Sequence, residues 1–462
     1  MGVMDLKLGA LDLKAHPTVL GFRERQNGSS PGTAAPPHLD AAWLRDLCLR
    51  LGADDVGFVS IDRPEVDDER TDIVAILPSV RTLISLAFVV NRESMRAPAR
   101  SLANNEYHAC MNEMHQLGRT LERQLREVGV RAVCSAIAFP MEVERVPNKP
   151  WLISHKPIAV AAGLGHVGIH RSVIHPRFGS HVVFETVLMD ATVGEEGSEL
   201  DFNPCLECKL CVAACPVGAI HTDGSFDFSA CYTHNYREMM GGFVNWVERI
   251  AASRSAKDYR AHVSPGETAS MWQSLAHPPG YRAGYCVAVC PAGDDVIGPF
   301  LTDRAGYKQE VLRPLTAREE TIYVTAGSDA EAHVGRRFPH KRARRASNSM
   351  AIWLATGHID AFLDLAQHFF QQGKAKGLDL TYHFTFTGEM SAEATMIIRD
   401  QRLESRRGHH GVPDLHVTVD GALWMKLVTE ERSMVWAILT RRVRLKGPLR
   451  VLRTLKTCIL LG

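Results

Sequence analysis

Cys205-Leu-Glu-Cys208-Lys-Leu-Cys211-Val-Ala-Ala-Cys215-Pro216 decides how this chain is read. The pattern is C-x2-C-x2-C-x3-C-P. Thiolates two residues apart on a tight loop reach several irons of one cubane, and the fourth cysteine turns toward a neighbouring cluster. Structural zinc more often uses two separated pairs than such a triplet. The run therefore predicts an iron–sulfur centre in preference to zinc or disulfides.

A second half follows. Cys231 stands alone, and Cys286-Val-Ala-Val-Cys290-Pro291 repeats the ending. In a two-cluster ferredoxin the last cysteine of each run serves the other cluster. Cys205, Cys208, Cys211 and Cys290 are thus expected to hold a [4Fe-4S] cluster, and Cys215, Cys231 and Cys286 a second one, 4Fe-4S or 3Fe-4S. A full second run would need a cysteine where Ala283 stands. His234 and His277 are near enough in sequence to be considered for the missing ligand.

At 462 residues the chain should hold two or three domains. Its net charge of +1 gives no global field for nucleic acid, which makes a nucleic-acid partner unexpected. The longest apolar runs, 82–90 and 157–164, are too short to span a bilayer, and no signal-peptide pattern opens the sequence. Cys48, Cys110, Cys134 and Cys458 are scattered, which suits a reducing cytoplasm better than a disulfide scaffold.

Residues 1–200 read as an α/β domain after a flexible lead-in over the first 40. Trp43, Leu44, Leu47, Cys48 and Leu51 recur at helical spacing, with Gly52 as the stop. Strands are expected at 56–60, 82–90 and 130–135. A helix over 105–128 carries the stripe Cys110, Met114, Leu117, Leu121 and Leu125. Gly163, Gly165 and Gly168 match G-x-G-x-x-G. A dinucleotide loop follows a strand and opens a helix, whereas 158–162 reads as a helix end and another apolar run comes at once. The three glycines are better read as places where the backbone closely approaches a flat cofactor or another strand.

Residues 201–310 form the ferredoxin-like module, with a helical insert over 237–271. Residues 311–345 read as a connecting segment. Its basic run 336–345 could contact nucleic acid or an anionic surface, and a linker or solvated face is the expected reading. Residues 346–462 read as a separate α+β domain. A helix over 351–372 precedes a strand whose Leu380, Tyr382, Phe384 and Phe386 face one way. Strand segments at 396–399 and 415–419 continue the sheet. The last helix sets Leu449, Leu452, Leu455 and Ile459 opposite Arg450, Arg453 and Lys456.

Several of these features occur together in one family. Tyr107-His108, the 162–168 block, His175-Pro-Arg-Phe-Gly-Ser180, the strand at 182–190 and the paired cysteine motifs resemble, in that order, epoxyqueuosine reductases and more distantly reductive dehalogenases. The likeness spans about 40–300. It implies a cobalamin held between the α/β domain and the ferredoxin module, with two clusters feeding it electrons from a ferredoxin- or flavodoxin-type donor. One departure is Val133-Cys134-Ser135-Ala136-Ile137, where the family usually carries Val-Asp-Ser-Ala-Pro with a proton-delivering aspartate. Another is an apparent insertion over 139–154. Residues 413–420 and 443–448 resemble the sterol carrier protein domain, which implies a lipid-binding tunnel; the alternative is a solid core of Phe369, Phe384, Trp424 and Trp436. The combined expectation is an enzyme, an iron–sulfur reductase of an apolar or lipid-like substrate. An epoxyqueuosine-type tRNA base reductase and a non-enzymatic electron-transfer and lipid-binding protein are the alternatives.

Overall fold

The computed structural model describes residues 14–26, 37–137, 141–142, 151–205, 207–239, 241–277, 280–282, 284–346, 358–429 and 431–460. Ala283, most of the lead-in, most of the 139–154 insertion and the start of the expected 351–372 helix lie outside the described residues.

The N-terminal unit is a mixed α/β layer structure. Helix Ala41–Leu51 begins where the Asp40 carboxylate accepts the Trp43 N–H at 2.7 Å, and it ends at Gly52 with φ +113°. The central sheet runs in the order Asp55–Ser60, Thr82–Val89, Val182–Met189, Ala132–Cys134, and every neighbour is antiparallel. Thr82–Val89 is buried at all but its last residue, as a strand covered on both faces should be. Ile84, Leu86 and Phe88 pack against the stripe of the long helix Arg100–Glu127. Leu83 and Ala87 face the short helix His155–Ala161 on the other side.

The cysteine-bearing unit is built from short helices, including Leu210–Ala214, Phe228–Asn235 and Tyr285–Ala288. The expected insert is present as helices Gly241–Ala252, Ala256–His262 and Pro265–Ala276. The basic run is not a linker. Strands Thr321–Thr325 and Arg342–Ala346 pair in parallel across helix Asp329–Arg337. Ile322, Val324, Ala330 and Val334 share one core with Leu210, Cys211, Cys215 and Ala288. Three of its charges meet acids: Lys341 Nζ donates to Glu320 at 2.7 Å, Arg345 Nε to Glu331 at 2.6 Å, and Arg344 pairs with Glu267; Arg336, Arg337 and Arg342 face solvent as expected.

The C-terminal unit is an α+β layer. Its five strands lie in the order Arg402–Arg407, Ala392–Arg399, Leu380–Thr387, Leu415–Asp420, Val443–Lys446; the central pair is parallel and the rest antiparallel. Phe362, Phe384, Phe386 and Trp424 meet one another with ring centroids 5.2–6.4 Å apart. They and Phe369 are fully buried, so these side chains fill the middle of the layer with one another, whereas Trp436 lies at the surface. The last helix buries three residues of its expected stripe, Leu452, Leu455 and Ile459. Val451, Leu452, Leu455, Cys458 and Ile459 are buried and Leu449 is exposed.

The units are joined by side chains. Tyr107, Tyr281, Tyr236, Tyr232, Phe228 and His368 form a file of rings with successive centroids 5.3–6.0 Å apart, from the long N-terminal helix to the C-terminal unit. Tyr232 belongs to the core that contains Phe369 and Trp424.

Candidate functional site

The first cysteine loop is bent by its own backbone. Glu207 and Lys209, between the cysteines, sit at φ +51° and +53°. Non-glycine residues rarely adopt that region, and it turns successive cysteines inward. Lys209 Nζ donates to the Thr222 carbonyl at 2.9 Å, which holds the loop shut. Cys205, Cys208, Cys211 and Cys290 then line one small cavity, together with His170, Ile174 and Pro291. Cys290 reaches this place because the α/β unit grips its loop. A Cβ on Gly179 would collide with the Ala292 carbonyl, Ser180 Oγ donates to Val287 O at 3.1 Å, and Arg96 Nε donates to Ala288 O at 3.0 Å.

Backbone donors already point at the sulfurs: Ile169 N–H at Cys205 Sγ, 3.4 Å, and Ala219 N–H at Cys215 Sγ, 3.3 Å. Buried His170 lines the same cavity, and its Nε2 has no partner among the described residues. Four convergent thiols, an inward N–H and an idle ring nitrogen suit a sulfide-rich cluster.

Cys215, Cys231 and Cys286 form a second group. Burial raises the Cys231 thiol well above its usual range, and the neighbouring Cys215 and Cys286 push the same way. Burial, then Cys215, pushes Cys286 up to about 12. Buried thiols in mutual reach are stable as neutral groups or as thiolates neutralised by metal. Of the histidines considered for a further ligand, His234 is buried on the helix that carries Cys231, three residues on, and its Nε2 has no partner among the described residues. His277 is exposed. His234 Nδ1 accepts from the Tyr323 N–H at 3.3 Å, and the charges around it are Arg282, Arg100 and Lys341.

The group beside this second set is Lys156. Desolvation lowers its ammonium, opposed by the Cys286 and Cys231 sulfurs, and Nζ donates to Arg171 O at 2.7 Å. Lys156 is exposed at the start of helix His155–Ala161. Tyr107, Tyr236 and Tyr281 are half-exposed and lie close to each other and to Cys286. Sequence reasoning missed Lys156; its signal was a lone lysine opening an apolar helix.

Each of the three glycines is accounted for by protein. At Gly163, φ +78°, a Cβ would stand 2.8 Å from Ser198 O. At Gly165 it would stand 2.5 Å from Ile174 O, and at Gly168 2.8 Å from the Ile174 side chain. Gly165 and Gly168 lie in the hairpin in which His166–Val167 pairs with Val173–Ile174, while Gly163 lies against Ser198.

Cys134 ends its strand and donates its thiol proton to Glu185 Oε1 at 2.9 Å. Burial pushes the Glu185 carboxyl up to about 8.

Residues 199–221 match the 4Fe-4S binding domain family. Epoxyqueuosine reductase of Gloeobacter violaceus is 28% identical over 228 residues, 49% of this chain and 65% of that protein. Tetrachloroethene reductive dehalogenase of Sulfurospirillum multivorans is 27% identical over 231 residues, 49% of this chain and 38% of that protein. The chain thus spans less than two thirds of the length of these curated relatives. A solved structure of epoxyqueuosine reductase from Streptococcus thermophilus overlaps 70% of this chain and 83% of that one, with TM-score 0.35 and 13% identity. Another, of epoxyqueuosine reductase with an epoxyqueuosine-modified tRNA-Tyr stem loop, overlaps 70% and 84% with TM-score 0.33 and 15% identity. No described helix is long and apolar enough to cross a membrane. The chain is similar over about half its length to epoxyqueuosine reductases and a reductive dehalogenase, and residues 199–221 carry a 4Fe-4S binding motif.

Proposed function

We propose that this protein is an iron–sulfur reductase in which two clusters pass electrons to a cofactor and substrate held against Lys156, Tyr107, Tyr236 and Tyr281. The observation that carries the reading is the convergence of Cys205, Cys208 and Cys211 with Cys290 on one cavity, beside the second group of three thiols. Cys205, Cys208, Cys211 and Cys290 would hold a [4Fe-4S] cluster; Cys215, Cys231 and Cys286 would hold the second. Lys156, Tyr107 and Tyr236, which lie near Cys286, and the adjacent Tyr281 would be the residues to hold a cobalamin, which when bound would supply low-potential reduction at cobalt. The chain's own residues bind and orient. Lys156 fixes a positive charge next to the Cys286 and Cys231 sulfurs and favours the reduced, more negative state of that centre. The close-packed glycine hairpin and Arg96 keep the two units in register.

The substrate class in this reading is apolar or lipid-like; its support is the resemblance of residues 413–420 and 443–448 to sterol carrier domains, and the filled aromatic core of that unit counts against a tunnel. Anaerobically purified protein should show a corrinoid absorption band over the broad iron–sulfur absorbance. Iron–sulfur absorbance alone after reconstitution with cobalamin would leave an electron-transfer protein.

A second reading is a tRNA base reductase. Its support is the naming of the relatives and a pocket lined by Arg237, Trp246, Arg249, Arg342, Arg344 and Arg345. Arg237 and Arg344 are paired with Glu267, and Arg345 with Glu331, which reduces the field available to phosphates. Salt-sensitive binding of a tRNA stem loop, weakened in an Arg249→Gln, Arg342→Gln variant, would favour this reading over the apolar one.

A further inference from the structure

We propose that His115, Cys134 and Glu185 form a binding site for a divalent transition metal of the zinc class. They come from three elements: the long helix Arg100–Glu127, the end of strand Ala132–Cys134 and the middle of strand Val182–Met189. One ligand atom from each lies within 4.8 Å of the others. The elements approach this closely because residue 118 is glycine. A Cβ there would collide with Cys134 Sγ and stand 3.2 Å from Glu185 Oε1.

The second observation is an idle oxygen. Glu185 is fully buried in the sheet. Its Oε1 accepts the Cys134 thiol, while Oε2 has no partner among the described residues. A buried carboxylate oxygen left unpaired is costly. A cation bound by all three residues would satisfy it.

The chemistry selects the metal. Tetrahedral zinc with bonds of about 2.0–2.3 Å sets its donor atoms about 3.5 Å apart, within reach of side-chain rotation from the observed spread. One thiolate, one imidazole and one carboxylate suit zinc or cobalt and disfavour magnesium and calcium, which want oxygen alone. On binding, the Cys134 S–H proton and the Glu185 carboxyl proton leave to solvent, and lone pairs on the sulfur, the carboxylate and the His115 ring nitrogen form the metal bonds; no electrons are exchanged. Three protein ligands leave a fourth position for water. Cys134 is followed by Ser135 and Ala136, whose carbonyl lies 3.3 Å from His155 Nε2, one residue from Lys156. The proposal does not depend on the reductase reading.

The test is metal content. Full-length protein with its clusters intact would be equilibrated with zinc, desalted, and measured for zinc and iron by mass spectrometry. About one zinc per chain is expected with iron unchanged. His115→Ala, at an exposed position that leaves the fold intact, and Glu185→Gln should each weaken zinc binding by about a hundredfold or more. With cobalt(II) in place of zinc, a thiolate-to-cobalt band should appear in the difference spectrum and vanish in Cys134→Ser. Zinc retained equally by both ligand variants, or zinc appearing only as iron is lost, would place the metal on the cluster cysteines and overturn the proposal. So would wild-type protein that takes up no zinc.

Discussion

Lys341→Met should loosen the cluster-bearing unit from a position that touches no cysteine. The Lys341 side chain is 1% exposed and that of its partner Glu320 15%. Its ammonium donates to Glu320 Oε1 at 2.7 Å and to Arg318 O at 2.6 Å. Removing one partner of a buried pair costs about 3–5 kcal/mol. Glu320 would keep the Tyr285 hydroxyl, at 2.8 and 2.9 Å, and some access to water, so the low end, about 3 kcal/mol, applies. Tyr285 begins the helix that carries Cys286, which couples the loss to the second thiol group. Adding Glu320→Gln removes the stranded charge and should recover about 1–2 kcal/mol. Anaerobic urea unfolding followed by iron–sulfur absorbance measures both. A Lys341→Met midpoint equivalent to less than about 0.5 kcal/mol, the size of an ordinary surface change, would refute the docking of strand Arg342–Ala346 on this unit.

Gly179→Ala places a methyl group against the Ala292 carbonyl at φ +64°; it should displace the Cys290 loop and lower iron per chain, while Gly298→Ala, where nothing lies within 4 Å, should not. His181 supplies a pH dependence. Burial, with Arg92 and Arg96 adding, lowers its imidazole to about 3. The folded value is below the ordinary one of about 6.5, so the unfolded chain takes the proton first. The contribution is complete above about 6.5 and falls by about 1.4 kcal/mol per unit as pH drops toward the folded value. Urea midpoints at pH 7.5 and 5.5 should differ less in His181→Asn than in wild type; an equal difference would contradict the assignment. Trp424→Ala in the C-terminal core should cost about 3–5 kcal/mol, read by far-ultraviolet dichroism on melting.

The cysteine ligand sets could be proposed from sequence because their spacing is local and their chemistry is narrow. Much of the N-terminal layer was also legible, since Thr82–Val89 and the stripe of helix Arg100–Glu127 carry clear periodicities. The basic run misled for a physical reason. Its strand is stabilised by Glu267, Glu320 and Glu331, which come from other elements, and no local pattern announces such partners. Strand Arg402–Arg407 was missed because it is an edge strand with only Leu403 buried. Glu185 was passed over inside an apolar run, although one acid in an otherwise apolar central strand was the visible signal.

The most direct measurement is iron content and low-temperature electron paramagnetic resonance of Cys290→Ser, before and after dithionite. Cys290 lies far along the chain from Cys205, Cys208 and Cys211 but lines their cavity. Loss or conversion of one cluster signal with the other retained is the predicted result. A spectrum and iron count equal to wild type would mean that Cys290 holds no iron, and the paired-centre arrangement would fail.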